Sequence, residues 1–519
     1  MKAHADCSRS VLGASEMGRR TFFGRCGAAL ALAGLPAPRR RAETAEAGSR
    51  PRVALVFLSR PGSSWPHPKF DVVRREGQVV ALLEKGCPEV EFVPIAVRDP
   101  EDIPRAAAAR DGVDGYLVYV LTLAWPLQRA IPEIGALGKP ALVADEFLGG
   151  SGAFLCGLSD LRRRGLFAAA VATTRAEDLV TAARCFRDVR RPGTTPESFA
   201  RACSEAYRGT FGRAAEVEPL SDAPVLRPIS ECVERFRASR FLIVGAGSPG
   251  AEVEFLGAKG ISVGFEELQA AYEKADRDEA AAWARRWKRE AERVVEASED
   301  WIQKAGAVHV AMLELLAKHR TDSITMNCLG GFASGKLPAY PCLGFKQILD
   351  EGGQGVCEAM PDDTLSMLLA RILTGRPGYV SDPALDTSKA EIVYAHCMAT
   401  TKAFGPGGPS NTFRIRTLHD HDGRGTAVQS FLPAGYMTTS FRTNFRRKEF
   451  VVHQARAVGN LDADRGCRTQ LVAEVRGDIE KLFNEWDRFG WHRVTVYGDL
   501  KEPLVEFARA LGLSVVEEA

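Results

Sequence analysis

Apolar positions along the chain fall into two textures. Short continuous apolar runs recur at 53–58, 91–97, 115–121, 141–144, 166–172 and 240–244, with helix-like periodicity between them, as at 70–83. Continuous runs of that length are strands covered on both faces, and their alternation with helical stretches predicts βαβ units around parallel sheets. The passage 191–228 is turn-rich and reads as a connection. Residues 267–318, rich in Ala, Glu, Lys and Arg, predict a pair of amphipathic helices. From about residue 386 the segments shorten: 392–395, 412–418, 426–432, 436–442 and 449–457 are separated by Gly, Pro and Asn. Closely spaced short strands with turn signals predict an antiparallel sandwich or barrel. Helical runs at 478–489 and 503–511 flank an apolar strand at 494–497. The fold class expected is α/β: two Rossmann-like parallel-sheet domains, at 50–215 and 236–384, followed by a mostly antiparallel β-rich domain at 385–519.

With 519 residues, 45% hydrophobic and 26% charged, the composition is ordinary globular usage and excludes a disordered, collagen-like or coiled-coil chain. The net charge of +2 hides an asymmetry. Residues 1–42 hold eight Lys and Arg against Asp6 and Glu16, a local +6 that leaves the remainder at −4. A mildly acidic body predicts no nucleic-acid partner. Arg19 and Arg20, followed by Phe22, Phe23 and a short uncharged stretch closed by Pro36 and Pro38, resemble a twin-arginine export signal, with a basic leader on a cytoplasmic protein as the alternative. That stretch is too short to span a bilayer, and no later segment reads as transmembrane. Ten cysteines follow the leader; none forms C-x-x-C, and they read as small buried side chains.

Gly245, Gly247 and Gly250 match G-x-G-x-x-G directly after the strand 240–244, and Glu266 ends a plausible next strand, 261–265. That arrangement suits a dinucleotide, with an NAD(P)-dependent oxidoreductase as the function implied. The intervening helix, at 251–258, would be very short for a crossover. A Gly-rich turn is the competing reading, and no cofactor-binding residue is assigned from it.

Two carboxylates carry more chemistry. Glu358 ends a predicted strand and precedes a helix, and Asp382 follows the next short strand 24 residues on. Strand ends are the edge where ligands bind in α/β sheets. Around them stand Cys342-Leu-Gly-Phe-Lys346, Asp350-Glu-Gly352, Cys357-Glu358, Leu373-Thr-Gly-Arg-Pro377, Ala395-His396-Cys397, His421-Asp-Gly-Arg-Gly425, Gly466-Cys467-Arg468 and Gly490-Trp-His492-Arg493. Taken in order, these resemble the L-fucose isomerase and L-arabinose isomerase superfamily over the C-terminal two thirds of the chain. The resemblance implies two α/β domains before an antiparallel one, a homo-oligomer, a monosaccharide substrate and Mn²⁺ or another divalent cation.

Aldose–ketose interconversion moves a proton between adjacent carbons through an enediol, so two placed acid/base groups and a cation that stabilises the oxyanion suffice. A Glu, an Asp and a His make a mixed O/N site suited to Mn²⁺. By the resemblance, Glu358 and Asp382 are ligands that double as acid and base, His492 is the third ligand, and His396, Asn327 and Arg493 face the sugar. Two departures stand out. Where family members often carry Cys-Glu-Gly-Asp, this chain has Cys357-Glu358-Ala359-Met360, which moves the next acids to Asp362 and Asp363. Where many carry paired histidines it has His492-Arg493: a metal site at His492 requires strand alternation to turn Arg493 away, whereas an Arg493 paired with Glu358 or Asp382 in the cavity would fill the cation site with a guanidinium and imply a metal-free descendant. His419, His421 and His453 read as surface or core histidines. A non-catalytic exported sugar-binding protein on the same fold is the remaining alternative.

Overall fold

A computed structural model describes residues 49–519 apart from Ser221 and residues 420–422. The expected export leader and His421 lie outside the described residues.

The first layer is a five-stranded sheet of β1 (Arg52–Leu58), β2 (Glu91–Val97), β3 (Gly115–Val120), β4 (Ala141–Asp145) and β5 (Ala169–Val171), in the order β2-β1-β3-β4-β5 and parallel throughout. Strand order reverses between β1 and β3, which makes their carboxyl ends the topological switch point where such sheets take ligands. Within 191–228, read as a connection, lies a helix, Pro196–Arg208. Thr195 accepts from the Ser198 backbone amide while the Ser198 hydroxyl takes the Thr195 amide, a reciprocal cap.

The second sheet holds β6 (Arg240–Val244), β7 (Glu252–Phe255), β8 (Ala258–Val263), β10 (Ser323–Met326) and β11 (Gln354–Cys357), in the order β11-β10-β6-β8-β7. The helix expected at 251–258 is instead β7, which turns back antiparallel onto β8. Leu256 at φ 52° and Gly257 at φ 100° make that hairpin. No helix N-terminus follows Gly245–Gly250, so the dinucleotide reading loses the element that would bind a pyrophosphate. Glu266 sits in the exposed first turn of the Phe265–Lys274 helix. The expected pair of helices at 267–318 is three: Phe265–Lys274, Arg277–Glu290 and Glu299–Lys318. Between the last two, β9 (Arg293–Val294) joins a small sheet with β14 (Phe413–Arg416) and β15 (Ala427–Ser430).

The third layer is a closed antiparallel barrel. β12 (Tyr379–Asp386), β13 (Glu391–His396), β16 (Met437–Asn444), β17 (Glu449–Asn460), β18 (Thr469–Arg476) and β19 (Arg493–Tyr497) pair in the ring β16-β19-β12-β13-β18-β17, and β17 returns to β16. β20 (Ser514–Glu517) lies parallel on β17. Closure removes the sheet edges. β12 begins before the junction expected at 384–385, so Asp382 stands on a barrel strand and not at the end of a parallel one. One apolar cluster ties the second sheet to the barrel through residues such as Val356, Leu368 and Val494; another ties the first sheet to it through Phe154, Tyr394 and Leu471.

Candidate active site

A cavity of about 200 Å³ opens where the three layers meet. Its floor carries Glu358, Asp382, His396 and His492, and its walls include Trp65, Trp125 and Trp491. Trp65 and Trp125 follow β1 and β3, so the first sheet lends the loops of its switch point to a site whose charged groups come from the other two.

Glu358 is the residue after β11 and adopts φ 69°, with Ala359 behind it at φ 52°. Two successive left-handed residues cost about 1–2 kcal/mol each when neither is glycine. Here they turn the chain sharply from β11 into the Pro361–Thr374 helix and aim the carboxylate into the cavity. Ala359 occupies the position where the resembled family often carries Gly, and it keeps the backbone shape without the residue that adopts it freely.

The ligand atoms of Glu358, His396 and His492 all lie within 4.8 Å of one another. His396 Nε2 and His492 Nε2 are each 3.7 Å from the Glu358 carboxylate, and Asp382 Oδ1 is 3.0 Å from His492 Nε2. Both ring nitrogens of His396, and Nε2 of His492, are buried without a hydrogen-bond partner. Buried imidazole nitrogens beside carboxylate oxygens are, once deprotonated, a mixed N/O donor set that fits a small divalent cation such as Mn²⁺.

The other nitrogen of His492 is held. Nδ1 is 2.6 Å from Asp363 Oδ2, and Asp363, itself fully buried, is paired with Arg442 at 3.1 Å. Asp363 lies in the first turn of the Pro361–Thr374 helix, whose amino end favours the charge. Burial works against the Asp363 anion, but Arg442 and His492 outweigh it and hold its pKa below the usual carboxylate value. Burial likewise opposes the His492 imidazolium, yet Asp363, Asp382 and Glu358 together raise its pKa well above that of a free histidine. A cation held by His492 Nε2 would therefore have to displace a proton from it.

Glu358, Asp382 and His492 are thus brought together, and His396, expected as a sugar contact, stands among the converging donors. Two expected sugar contacts are elsewhere. Arg493 is opposite Ser381 on β12, projects from the other face, and is buried with Nε and Nη2 at 2.8 and 2.6 Å from Glu518 and its guanidinium 4.1 Å from the Trp486 ring centre. The chain alternation that presents His492 to the cavity sends its neighbour away. Asn327 caps the Cys328–Ala333 helix, accepting from the Gly330 amide at 3.2 Å, and lines a neighbouring cavity of about 500 Å³ beside Glu358 and Met360. Asp363, Arg442, Trp65 and Trp125 were not assigned roles from the sequence; Asp363 left a trace there as one of the acids displaced by Ala359-Met360, and Trp491 stood within the Gly490-Trp-His492 motif.

The chain matches no family model. It is similar to sulfoquinovose isomerases of Priestia aryabhattai and of Priestia megaterium (strain ATCC 12872 / QMB1551), each 25% identical over 271 residues, which cover 50% of this chain and 59% of the relative. The aligned part thus spans little more than half of those relatives. Among solved structures, a carbohydrate transporter from Acidothermus cellulolyticus 11B in complex with myo-inositol matches 56% of this chain and 79% of its own at 14% identity. Its TM-score of 0.16 is too low to bear on fold or ligand.

Proposed function

We propose that this chain is a metal-dependent aldose–ketose isomerase that acts through an enediol. The observation that carries the reading is the convergence of Glu358, His396 and His492, with Asp382 Oδ1 3.0 Å from His492 Nε2, on one aromatic-walled cavity in which three imidazole nitrogens are buried without a hydrogen-bond partner. The similarity to sulfoquinovose isomerases supports it. Glu358, His396, His492 and Asp382 would hold the cation, which when bound supplies Lewis-acid polarisation of the sugar carbonyl and adjacent hydroxyl.

The chain's own groups carry the proton. In the proposed pose a Glu358 carboxylate oxygen faces the carbon-bound hydrogen next to the carbonyl, takes it as base, and returns it to the neighbouring carbon as acid. Asp382, beside His492 Nε2, exchanges the hydroxyl proton between the two sugar oxygens. Asp363 fixes the His492 ring so that Nδ1 stays turned away and Nε2 faces the substrate side. Trp65, Trp125 and Trp491 give flat apolar walls that exclude water and pack on the C–H faces of a sugar. Stereochemical choice among sugars falls to contacts around that wall.

The test is solvent exchange. Purified protein with Mn²⁺ is incubated in ²H₂O with aldoses, sulfoquinovose included, and proton NMR follows both ketose formation and loss of the C2 hydrogen. Glu358→Gln should lower turnover by at least about 10³-fold while sugar binding persists, the upper range for one acid/base group. Saturable sugar binding with neither exchange nor ketose would identify a binding protein and refute the proposal.

A further inference from the structure

Five cysteines line the cavity: Cys328, Cys342, Cys357, Cys397 and Cys467. The thiols of Cys87, Cys203 and Cys232 point at the backbone carbonyls of Val180, Ala182 and Arg227. Cys397 and Cys467 differ, because both face a histidine and a cavity. The β13–β18 ladder ends with His396 opposite Thr469, so Cys397 leaves β13 alongside the residues that precede β18, where Cys467 lies. The two sulfurs and a ring nitrogen of His419 all lie within 4.8 Å of one another.

Hydrogen bonding decides what this trio is. The Trp65 indole can only donate, and its Nε1 lies 3.1 Å from His419 Nε2. Nε2 is therefore the acceptor, and the ring proton sits on Nδ1, 2.8 Å from Cys397 Sγ. With Nε2 taken by the indole and Nδ1 protonated, neither nitrogen offers a lone pair to a metal. The geometry is that of an imidazole N–H directed at one thiol sulfur with a second thiol beside it. Cys467 in turn reaches Asp382 Oδ2 at 3.8 Å.

We propose that Cys397 and Cys467 form a reversible thiol–disulfide site on the cavity wall, with low-molecular-weight disulfides as the co-reactant. Cys397 Sγ attacks one sulfur of the small disulfide; the S–S bond breaks, a mixed disulfide forms, and the first small thiol leaves with the Cys397 proton. Cys467 Sγ then attacks Cys397 Sγ and expels the second small thiol, which takes the Cys467 proton. The protein loses two electrons and two protons, and the added disulfide gains them. Closure draws on residues adjacent to His396 and in contact with Asp382, so the oxidised form is expected to bind Mn²⁺ more weakly. The thiol chemistry itself stands apart from the isomerase reading.

The experiment treats the full protein with oxidised glutathione, blocks remaining thiols with N-ethylmaleimide, and maps peptides by mass. The expected product joins the Cys397 peptide to the Cys467 peptide and reverts with dithiothreitol. Cys467→Ala should stop at the Cys397–glutathione mixed disulfide. The wild-type map alone decides the matter should the variant not fold. A cross-link among Cys328, Cys342 and Cys357 in place of Cys397–Cys467, or no change of mass, overturns the proposal. So does Co²⁺ giving a sulfur-to-cobalt charge-transfer band that Cys397→Ser abolishes, which would make the trio a metal site.

Discussion

Replacing Asp363 by Asn isolates the group that orients His492. The substitution keeps size and one acceptor oxygen but removes the charge that sits 2.6 Å from His492 Nδ1 and 3.1 Å from Arg442 Nε. Carboxylates that hold a metal-binding histidine from behind typically contribute 10–100-fold in affinity, about 1.4–2.7 kcal/mol. The loss has a defined pH signature. In the parent chain three carboxylates raise the His492 pKa, so Mn²⁺ held there as proposed would have to expel a proton, and its affinity should climb with pH. In the Asp363→Asn variant the imidazolium is less favoured and less proton competition remains. The variant should bind Mn²⁺ more weakly near pH 8, where competition is smallest, and the gap should narrow toward pH 6. Leaving Arg442 buried opposite a neutral partner should also lower folding stability by about 3 kcal/mol. Calorimetric Mn²⁺ titration across that range, with circular dichroism to establish folding, measures both. Unchanged affinity and an unchanged pH slope in a folded Asp363→Asn protein would refute the role given to Asp363.

Other consequences are as concrete. Burial opposes the Glu518 anion, but Arg493 and His453 hold its pKa at about 2; a depressed carboxylate gives stability that is complete above about pH 4.5 and lost as pH falls toward 2, so Glu518→Gln should flatten acid unfolding in that window and cost about 3 kcal/mol at neutral pH. His309, with neither ring nitrogen bonded, is pushed down to about 3 by burial and then by Lys346 and Arg286. Its folded form stays neutral while the unfolded chain takes a proton, so stability falls by about 1.4 kcal/mol per pH unit between about 6.5 and 3, and urea titrations of His309→Leu should lack that slope. Ala359→Gly should raise the urea midpoint, since relief of the left-handed strain exceeds the entropy glycine adds to the unfolded chain by about 0.5–1 kcal/mol.

Regular pattern was legible wherever one periodicity acted alone. The run 91–97 is β2 residue for residue, and the shift to short turn-separated strands marks the barrel. Pattern failed where local chemistry outweighed it. Pro192, Gly193 and Pro196 read as turns, yet Pro196 is the first helical residue behind a Thr195 cap. The segment 251–258 offered helix-compatible residues, and the positive φ at Leu256 and Gly257 made a hairpin. β18, an interior strand of the barrel, went unread although Thr469–Arg476 alternates little and is buried on both faces for most of its length. Of the site, the acids and histidines showed through motif order. The Asp363 bond to His492 spans 129 residues and that of Trp65 to His419 spans 354, contacts that exist only after the layers dock.

The way the cavity is assembled separates two kinds of change. Glu358, Asp382, His396 and His492 hang on the second sheet and the barrel, whose shared apolar cluster resists displacement. Ser64, Trp65, Leu123 and Trp125 reach the same cavity from loops of the first sheet, outside its regular elements. Loops tolerate replacement and insertion far better than the strands they join. On the proposed reading, a lineage built on this scaffold would change the sugar it takes by rewriting the partly exposed positions of two short loops, and a library randomised over Ser64, Leu123 and Trp125 would sample new specificities while Trp65, buried in the cluster shared with the barrel and bonded to His419, stays in place.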